Sequence, residues 1–416
     1  MTGRRESAPP DAYRSITRIV LDAPRPVRVL VLGVLLNRLG SFFVTFLVLF
    51  VRDEGLSHRE IAAVLLLAGV ATVLGSVVGG WAADRFSRKR SLVFSTLSAG
   101  ASLLLVSLAP DRATLLIGVF AAALLTQAYI PAASALLIDH SHERDRVPTF
   151  ALFRLALNVG AALGAVAAML LVPHGLAVLF AVDGATFLLF SALLMVGLPA
   201  DSREPAAARA ATGSGATTQA VARGTTLPIL VLLAAVLAIT MVYAQYTSTL
   251  PLHVLDVGQT ASMYAALLTV NGALVIVGEL PLTAITRSMP WRVPIAAGIV
   301  LMGAGIAVSG VSPSIELMLL GVVVWTFGEM LYSPVVNTAV AALSSPERVG
   351  RYQGYLAGVQ AIGFSTGPAL GTLLYAESSN ALWIACGAVG ALAATSLLLV
   401  RERSREPAAG TLANAI

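Results

Sequence analysis

Charged residues are scarce in this sequence. They make up 12% of its 416 residues, whereas soluble globular proteins carry about 25%. The chain is instead 57% hydrophobic, with a mean hydropathy of +0.84, which excludes an ordinary water-soluble fold. Its apolar runs are continuous and near the roughly 20 residues that a helix needs to cross hydrocarbon. Continuous rather than alternating apolar runs favour helices over a β-barrel, so we predict an all-α polytopic membrane protein.

Groups that carry enzyme chemistry are also scarce. The single cysteine, Cys386, lies in an apolar run, so no disulfide framework or thiolate metal site is expected. The single lysine, Lys89, lacks the glycines of a Walker loop, so we expect no ATP hydrolysis by this chain. The G-x-S-x-G string at 363–367 lies in a predicted helix, whereas a nucleophile elbow follows a strand. We therefore predict a protein that is not an enzyme, with no catalytic residues, cofactor or metal.

The apolar runs predict twelve transmembrane helices in two six-helix bundles. We expect a cytoplasmic segment at 1–28, bundles at 29–199 and 227–400, a cytoplasmic linker at 200–226 and a cytoplasmic tail at 401–416. Most of the 27 basic residues then fall on the cytoplasmic side, as the positive-inside rule requires, with both termini inside. Because these basic residues are dispersed over short loops, nucleic-acid binding is not expected. The predicted spans are 29–50, 59–82, 92–109, 113–138, 149–171, 175–198, 228–250, 259–285, 293–311, 314–342, 352–375 and 381–400.

The two bundles carry signs of an internal repeat. Tyr129-Ile-Pro131 recurs as Tyr332-Ser-Pro334, and the pair Gly160 and Gly164 recurs as Gly363 and Gly367. All four matches share one offset, 203 residues. Parallel six-helix repeats are a known plan of transporters, whose substrate site lies near the bilayer midplane between the repeats. Transport is therefore the leading functional hypothesis.

The short loop after the second predicted span holds one acid among several bases. It reads Gly80-Trp-Ala-Ala-Asp84-Arg85-Phe-Ser-Arg88-Lys89. This run resembles the signature loop G-x-L-A-D-R-x-G-R-K of the major facilitator superfamily, although alanine replaces its leucine and serine replaces its second glycine. The resemblance extends over nearly the whole chain and implies two six-helix bundles and secondary transport.

The resemblance also implies a cytoplasmic gate. Asp84 would dock on the start of the eleventh helix near Gly354, and Arg85 or Arg88 would reach an acid at the end of the fourth helix, where Asp139 lies. Charge pairs and contacts with helix ends would hold such a gate. The alternative is a basic loop that only sets the topology.

Ionisable residues inside the predicted spans are costly, so each requires a reason. Glu329 is the first proton-coupling candidate, because its surroundings resemble the tenth helix of drug/proton antiporters and of proton-coupled peptide transporters. A neutral acid bonded to a neighbouring helix is the alternative. Asp183 and Glu279 are the other proton-coupling candidates. Arg38 could pair with an acid across the cavity or bind an anionic group, or could form a fixed ion pair in the amino-terminal half.

Polar and aromatic side chains within the predicted helices form a candidate substrate cavity. Such a surface suits bulky amphiphilic or cationic compounds, although each residue alone could be an interface anchor or a helix contact. The candidates are Gln127, Tyr129, Tyr243, Gln245, Tyr246, Asn271, Trp325, Tyr332, Asn337 and Gln360.

We therefore expect a monomeric, multi-pass transporter in a bacterial cytoplasmic (inner) membrane, with the lipid bilayer, a small molecule and protons as its partners. It would export drug-like or amphiphilic compounds by alternating access, driven by the proton motive force. Against this, Val119 stands where drug/proton antiporters usually carry arginine. A proton-coupled importer of peptides or other small solutes is the alternative, and a non-transporting sensor or lipid scaffold is a third hypothesis.

Overall fold

The computed structural model describes residues 23–141, 146–199, 226–286, 289–344 and 348–399. These residues form fourteen α-helices and no strand, which confirms the predicted all-α class. The predicted linker up to residue 225, the tail and most of the amino-terminal segment lie outside the described residues. The helices are α1 Arg25–Leu39, α2 Phe43–Asp53, α3 His58–Arg85, α4 Arg88–Ser107, α5 Arg112–Asp139, α6 Arg146–Leu171, α7 Leu176–Gly197, α8 Thr226–Tyr243, α9 Thr249–Asp256, α10 Ala261–Thr286, α11 Arg292–Gly310, α12 Ile315–Leu343, α13 Val349–Glu377 and α14 Ser379–Leu399.

Local signals in the sequence explain where several helices begin. Ser57 and Glu60 form a capping box at α3, in which each side chain accepts a hydrogen bond from the backbone N–H of the other residue. Asp111 accepts from the Thr114 N–H at the start of α5. These bonds satisfy backbone donors that have no partner within the helix. The starts of these helices are therefore marked both by the beginning of an apolar run and by a polar capping residue.

The helix positions repeat along the chain. The offset of 203 residues found in the sequence also relates the first residues of four pairs of helices. The glycines with positive φ after α2 and α9, Gly55 and Gly258, obey it too. The four pairs of first residues are His58 and Ala261, Arg112 and Ile315, Arg146 and Val349, and Leu176 and Ser379.

Two of the twelve spans are broken near their middles. The first span consists of α1 and α2, with a gap after Leu39, and the seventh of α8 and α9, with a gap after Tyr243. Counting each broken pair once, eleven described spans are long and apolar enough to cross a membrane. The twelfth, α13, has 29 residues, about 43 Å of helix, but is less apolar. The sequence predicted the spans to within a few residues, apart from the end of the seventh, and did not predict the breaks.

Glycines allow equivalent helix contacts in the two repeats. A Cβ on Gly164 of α6 would lie 2.7 Å from the Arg38 carbonyl oxygen of α1, and one on Gly367 of α13 would lie 2.8 Å from the Met241 Cα of α8. Both glycines therefore permit backbone contact that any side chain would block. Because Arg38 and Met241 are also 203 positions apart, the same contact occurs twice.

The chain divides into two compact units that cut across the repeats. Unit 1 contains the described residues up to 199 together with Gln245–Val277 and Pro368–Ser378. Unit 2 contains the described residues 226–244, Gly278–Gly367 and 379–399. Helices α10 and α13 each contribute residues to both units.

Candidate functional site

The break in the first span is held by an acid from α7. The Asp183 Oδ2 atom accepts hydrogen bonds from the backbone N–H groups of Phe42 and Phe43, both at 2.9 Å. Since α2 begins at Phe43, the carboxylate lies at the partly positive amino-terminal end of a helix. Asp183 is only 1% exposed. The Asp183 side chain therefore stabilises the backbone turn between α1 and α2 by accepting from N–H groups at the start of α2.

Arg38 lies beside this break, on α1. Its Nη1 atom is 3.5 Å from the Ser41 Oγ atom, and its charge acts on Asp183. Three buried polar atoms here have no hydrogen-bond partner within the described residues: Asn37 Nδ2, Arg38 Nε and Asp183 Oδ1. Two of the predicted ionisable candidates, Arg38 and Asp183, thus come together inside unit 1.

The signature loop connects three helices through Arg88, the first residue of α4. Its Nε atom lies 3.3 Å from the Asp139 Oδ2 atom at the end of α5. Its Nη1 atom lies 3.6 Å from the Asp84 Oδ1 atom in the last turn of α3, and the guanidinium also donates to the Ala83 carbonyl. Charge-assisted contacts of Arg88 therefore hold the ends of α3, α4 and α5 together at this loop.

The remaining residues of the loop motif have separate roles. Lys89 Nζ donates to the Leu198 carbonyl at 2.7 Å, just beyond the end of α7. Ser87, where the family has glycine, caps the start of α4 by accepting from the Arg90 N–H. Asp84 and Arg85 are exposed, and a Cβ on Gly80 would have open space around it. Gly354 is also exposed but belongs to unit 2, and the docking of Asp84 near it stays a prediction.

Glu329 lies half-buried in unit 2 on α12. Its helix packs closely on α11, where a Cβ on Gly328 would lie 2.7 Å from the Gly298 carbonyl oxygen. Trp325, one turn before Glu329, is fully buried, and its ring meets that of Tyr243 edge-on at 5.6 Å. The helix that carries Glu329 is thus closely packed against its neighbours at residues 325 and 328, just before Glu329.

Two predicted cavity residues in unit 1 are packed inside it. Gln245 is 3% exposed, and its Oε1 atom accepts from the Ser248 and Thr249 hydroxyls at 3.0 and 3.1 Å. These bonds stabilise the break in the seventh span. Tyr129 is 2% exposed, and its ring packs edge-on against Phe187 and Phe190. Both side chains therefore have structural contacts in the described arrangement.

The other candidates are distributed over both units. Asn337 is exposed, and its carbonyl oxygen accepts from Gln353 at 2.8 Å. Glu279 is half-buried, two residues before Pro281 of α10. Gln127, Tyr246 and Asn271 belong to unit 1, whereas Tyr243, Glu279, Trp325, Glu329, Tyr332, Asn337 and Gln360 belong to unit 2. The described residues contain no group of three or more His, Cys, Asp or Glu side chains suited to a metal ion.

Unit 1 also contains a charged cluster that sequence reasoning missed. Asp256 at the end of α9 lies 3.4 Å from Arg52 of α2, 3.3 Å from His58 of α3 and 2.9 Å from the Tyr375 hydroxyl of α13. We call these four residues the end cluster. Its members are 119 to 204 positions apart from Asp256, so no local motif marks them. The signal available was only that charges are rare and that these lie at span ends.

Comparisons with known proteins agree with this architecture. The model of the Major Facilitator Superfamily matches residues 30–296 and 256–414. The chain is 23% identical over 358 residues to the uncharacterized MFS-type transporter YttB of Bacillus subtilis (strain 168), covering 84% of this chain and 88% of that protein. It is 24% identical over 368 residues to the multidrug resistance protein MdtH of Enterobacter sp. (strain 638), with coverage of 84% and 88%.

A solved structure shows the same fold. The crystal structure of a peptide transporter POT in complex with sulfate has a TM-score of 0.70 and 16% identity, covering 92% of this chain and 97% of that one. At this identity the likeness concerns the fold. The family match over nearly the whole sequence shows that the chain belongs to the Major Facilitator Superfamily and is a multi-pass secondary transporter rather than an enzyme.

Proposed function

We propose that this protein exports amphiphilic or cationic compounds from the bacterial cytoplasm in exchange for protons. It would work as a monomer by alternating access, with both termini in the cytoplasm. The observation that carries the proposal is Glu329, a half-buried carboxyl side chain within a membrane-spanning helix. Such a residue is costly to insert and is a functional candidate by default.

A single carboxyl group is sufficient to couple transport to the proton gradient. Moving one charge through 100 mV is worth about 2.3 kcal/mol, which corresponds to about a fiftyfold concentration gradient. Glu329 would bind a proton from outside and release it inside, once per cycle. The close packing of α12 on α11 supports this role, because fixed neighbours hold the carboxyl group in one environment in each state.

The proposed substrate class follows from the composition of the candidate cavity residues. All ten are aromatic or carry an amide, and none of them carries a fixed charge. Aromatic faces attract organic cations and accommodate bulky apolar groups. The name of MdtH, a multidrug resistance protein, is consistent with this class.

The loop motif supplies the proposed inner gate. Arg88 connects α3 and α5 in unit 1, and Asp84 is 83% exposed at its side chain. An exposed acid next to a fixed basic group is suited to a contact that forms in one state and breaks in another. In our proposal, Asp84 makes that contact near Gly354 when the inner side is closed.

Transport in proteoliposomes tests the proposal. Protein of known orientation would be given a panel of cationic dyes, antibiotics and short peptides under an imposed proton gradient. We expect cationic dyes to move against the proton flow, and Glu329→Gln to abolish gradient-driven movement. Glu316→Gln, which removes an exposed acid from the first turn of the same helix, is the matched control and should transport like the wild type.

The other outcomes would overturn the proposal in distinct ways. Peptides that move together with protons would make the protein an importer. Dye movement at a rate independent of the proton gradient would show that Glu329 does not couple transport to protons. No movement of any compound by well-folded protein would favour the sensor or scaffold hypothesis over the substrate class proposed here.

A further inference from the structure

The break in the first span has the geometry of a second proton-binding site. We propose that Asp183 binds a proton at its Oδ1 atom, and that this event weakens the hold of α7 on the amino-terminal end of α2. The inference rests on the proposed proton-coupled transport in one respect only, which is the use that the protein makes of the bound proton. The site itself is argued from the contacts of Asp183.

The two carboxylate oxygens of Asp183 differ in their surroundings. Oδ2 accepts from two backbone N–H groups, whereas Oδ1 is buried without a hydrogen-bond partner among the described residues. An ionised oxygen that is buried and unpaired carries a large desolvation penalty. A proton on Oδ1 would neutralise the carboxyl group without displacing either bond to Oδ2. The arrangement therefore leaves one oxygen for the helix and one for a proton.

Arg38 of α1 places a positive charge near Asp183. Among the described residues it is not in ion-pair contact with the carboxylate, so it leaves Oδ1 unoccupied. The buried amide of Asn37 lies on the same helix. Arg25 and Arg28 lie on α1 as well, and Tyr129 of α5 packs its ring against Phe187 and Phe190 of α7. On the other elements packed against α7, the described charged or titratable side chains are Arg52 and Asp53 on α2, Arg88, Lys89 and Arg90 on α4, Arg154 on α6, and His174 in the turn before α7. The charged residues of α2 and α4 lie at the ends of those helices, whereas Asp183 is the eighth residue of α7 and Arg154 is the ninth residue of α6.

Protonation of Asp183 would change the mechanics of α2. Hydrogen bonds to an ionised acceptor are about twice as strong as those to a neutral one, so neutralisation weakens the bonds to Phe42 and Phe43. The opposite end of α2 is held by Arg52, which meets Asp256 in the end cluster. This helix has 11 residues and is about 16 Å long. Asp183 of α7 contacts its first end, and Asp256 of α9 contacts Arg52 near its other end. A proton at one end therefore alters the restraint on the whole segment.

Infrared difference spectroscopy tests the site without any substrate. Full-length protein in lipid would be cycled between acidic and alkaline buffer, and the carbonyl stretch of protonated carboxyl groups would be recorded. The Glu329→Gln background removes the contribution of Glu329. We expect a remaining band from a buried carboxyl group, and its loss when Asp183→Asn is added. Asn keeps an oxygen that can accept from Phe42 and Phe43, so the break should persist.

Two further variants make the result decisive. Asp53→Asn removes an exposed acid from α2 and should leave the band unchanged. Asp183→Glu retains a carboxyl group and should shift the band rather than abolish it, which tests the assignment if Asp183→Asn folds poorly. A band that survives Asp183→Asn, or no band in the Glu329→Gln protein, would overturn the proposal. A clear Asp183 band in a protein that fails to transport dyes would keep this site and reject the proposed function.

Discussion

The two repeats share one backbone plan but hold their ionisable groups in different places. Four pairs of helices begin 203 positions apart, and glycines make equivalent contacts in both repeats. Arg38 and Asp183 of the first repeat correspond by this offset to Met241 and Cys386 of the second. Conversely, Glu329 corresponds to Thr126, whose hydroxyl donates to the Ala122 carbonyl of its own helix. The shared frame therefore does not require charge at either position.

The broken spans illustrate this difference most clearly. Both repeats interrupt the first of their six spans, yet the first break is held by Asp183 from another helix, and the second by Gln245 with the nearby Ser248 and Thr249. These bonds at the second break thus come from uncharged side chains. The charge at the first break consequently invites a functional explanation, and the equivalent positions allow it to be tested by matched substitutions.

The largest effect on stability is expected from removing the acid at the first break. Asp183→Ala takes the acceptor from the Phe43 N–H and removes the negative charge near Arg38. Leaving a buried donor unpaired costs about 1–3 kcal/mol, and we expect about 3 kcal/mol in total. Cys386→Ala at the equivalent position should cost only about 1 kcal/mol. Thermal unfolding in detergent would measure both, and equal losses would contradict the asymmetry.

The shared frame predicts equal effects at the two glycine contacts. Gly164→Ala and Gly367→Ala each place a methyl group within 3 Å of backbone atoms, so each should destabilise by about 2 kcal/mol through overpacking. Gly350→Ala, where a Cβ has open space, is the control and should be close to neutral. The measurement is again the unfolding midpoint. A loss at only one of the two contacts would show that the repeats are not packed equivalently.

The loop motif is recognisable only in the first repeat, and Arg88 corresponds by the offset to Trp291 of the second repeat. Arg88→Ala removes the contacts to Asp139 and Asp84 and should lower the initial transport rate about tenfold, or ~1.4 kcal/mol. Because the contacts are partly exposed, stability should fall by less than about 1 kcal/mol. Arg90→Ala, an exposed neighbour, should match the wild type in a dye-transport assay. A stability loss that accounts for the whole rate change would reject a gating role.

The smallest effect concerns two equivalent helix caps. Asp111 caps α5 and Ser314 caps α12, 203 positions later. The Thr114 N–H bond lowers the pKa of Asp111 below its ordinary value of 3.8. The cap therefore stabilises fully above that value and weakens as pH falls through the lowered pKa, whereas Ser314 has no such dependence. The measurement is the hydrogen-exchange rate of the amides in the first turn of α5, corrected for the intrinsic effect of pH. As the pH falls from about 6 to about 3, this corrected rate should rise in the wild type and stay constant in Asp111→Ser. Identical profiles would contradict this.

The sequence predicted the twelve spans and the repeat because both can be recognised from patterns of residues along the chain. Apolar length defines a span, and a fixed offset defines a repeat. The first break could not be predicted, since Gly40-Ser41 interrupts neither the apolar run nor the helical pattern strongly. Its stabilising partner, Asp183, is 141 positions away from Phe42.

The same reason separates the site residues that were predicted from those that were missed. The loop motif is short and contiguous, so Arg88 and Asp139 could be proposed as partners before the structure placed them 3.3 Å apart. The end cluster joins residues from four helices, and only the fold brings Asp256 to Arg52, His58 and Tyr375. Gln245 was assigned to the cavity from its residue type, and only the structure reveals its bonds to Ser248 and Thr249.

The central claim is that Glu329, unmatched in the first repeat, couples substrate movement to protons. The most direct test compares two modes of transport in the same Glu329→Gln proteoliposomes. Exchange of labelled for unlabelled substrate needs alternating access but no net proton transfer, whereas uphill accumulation needs the gradient. We predict that the variant retains exchange and loses accumulation. Accumulation at the wild-type level would contradict the account.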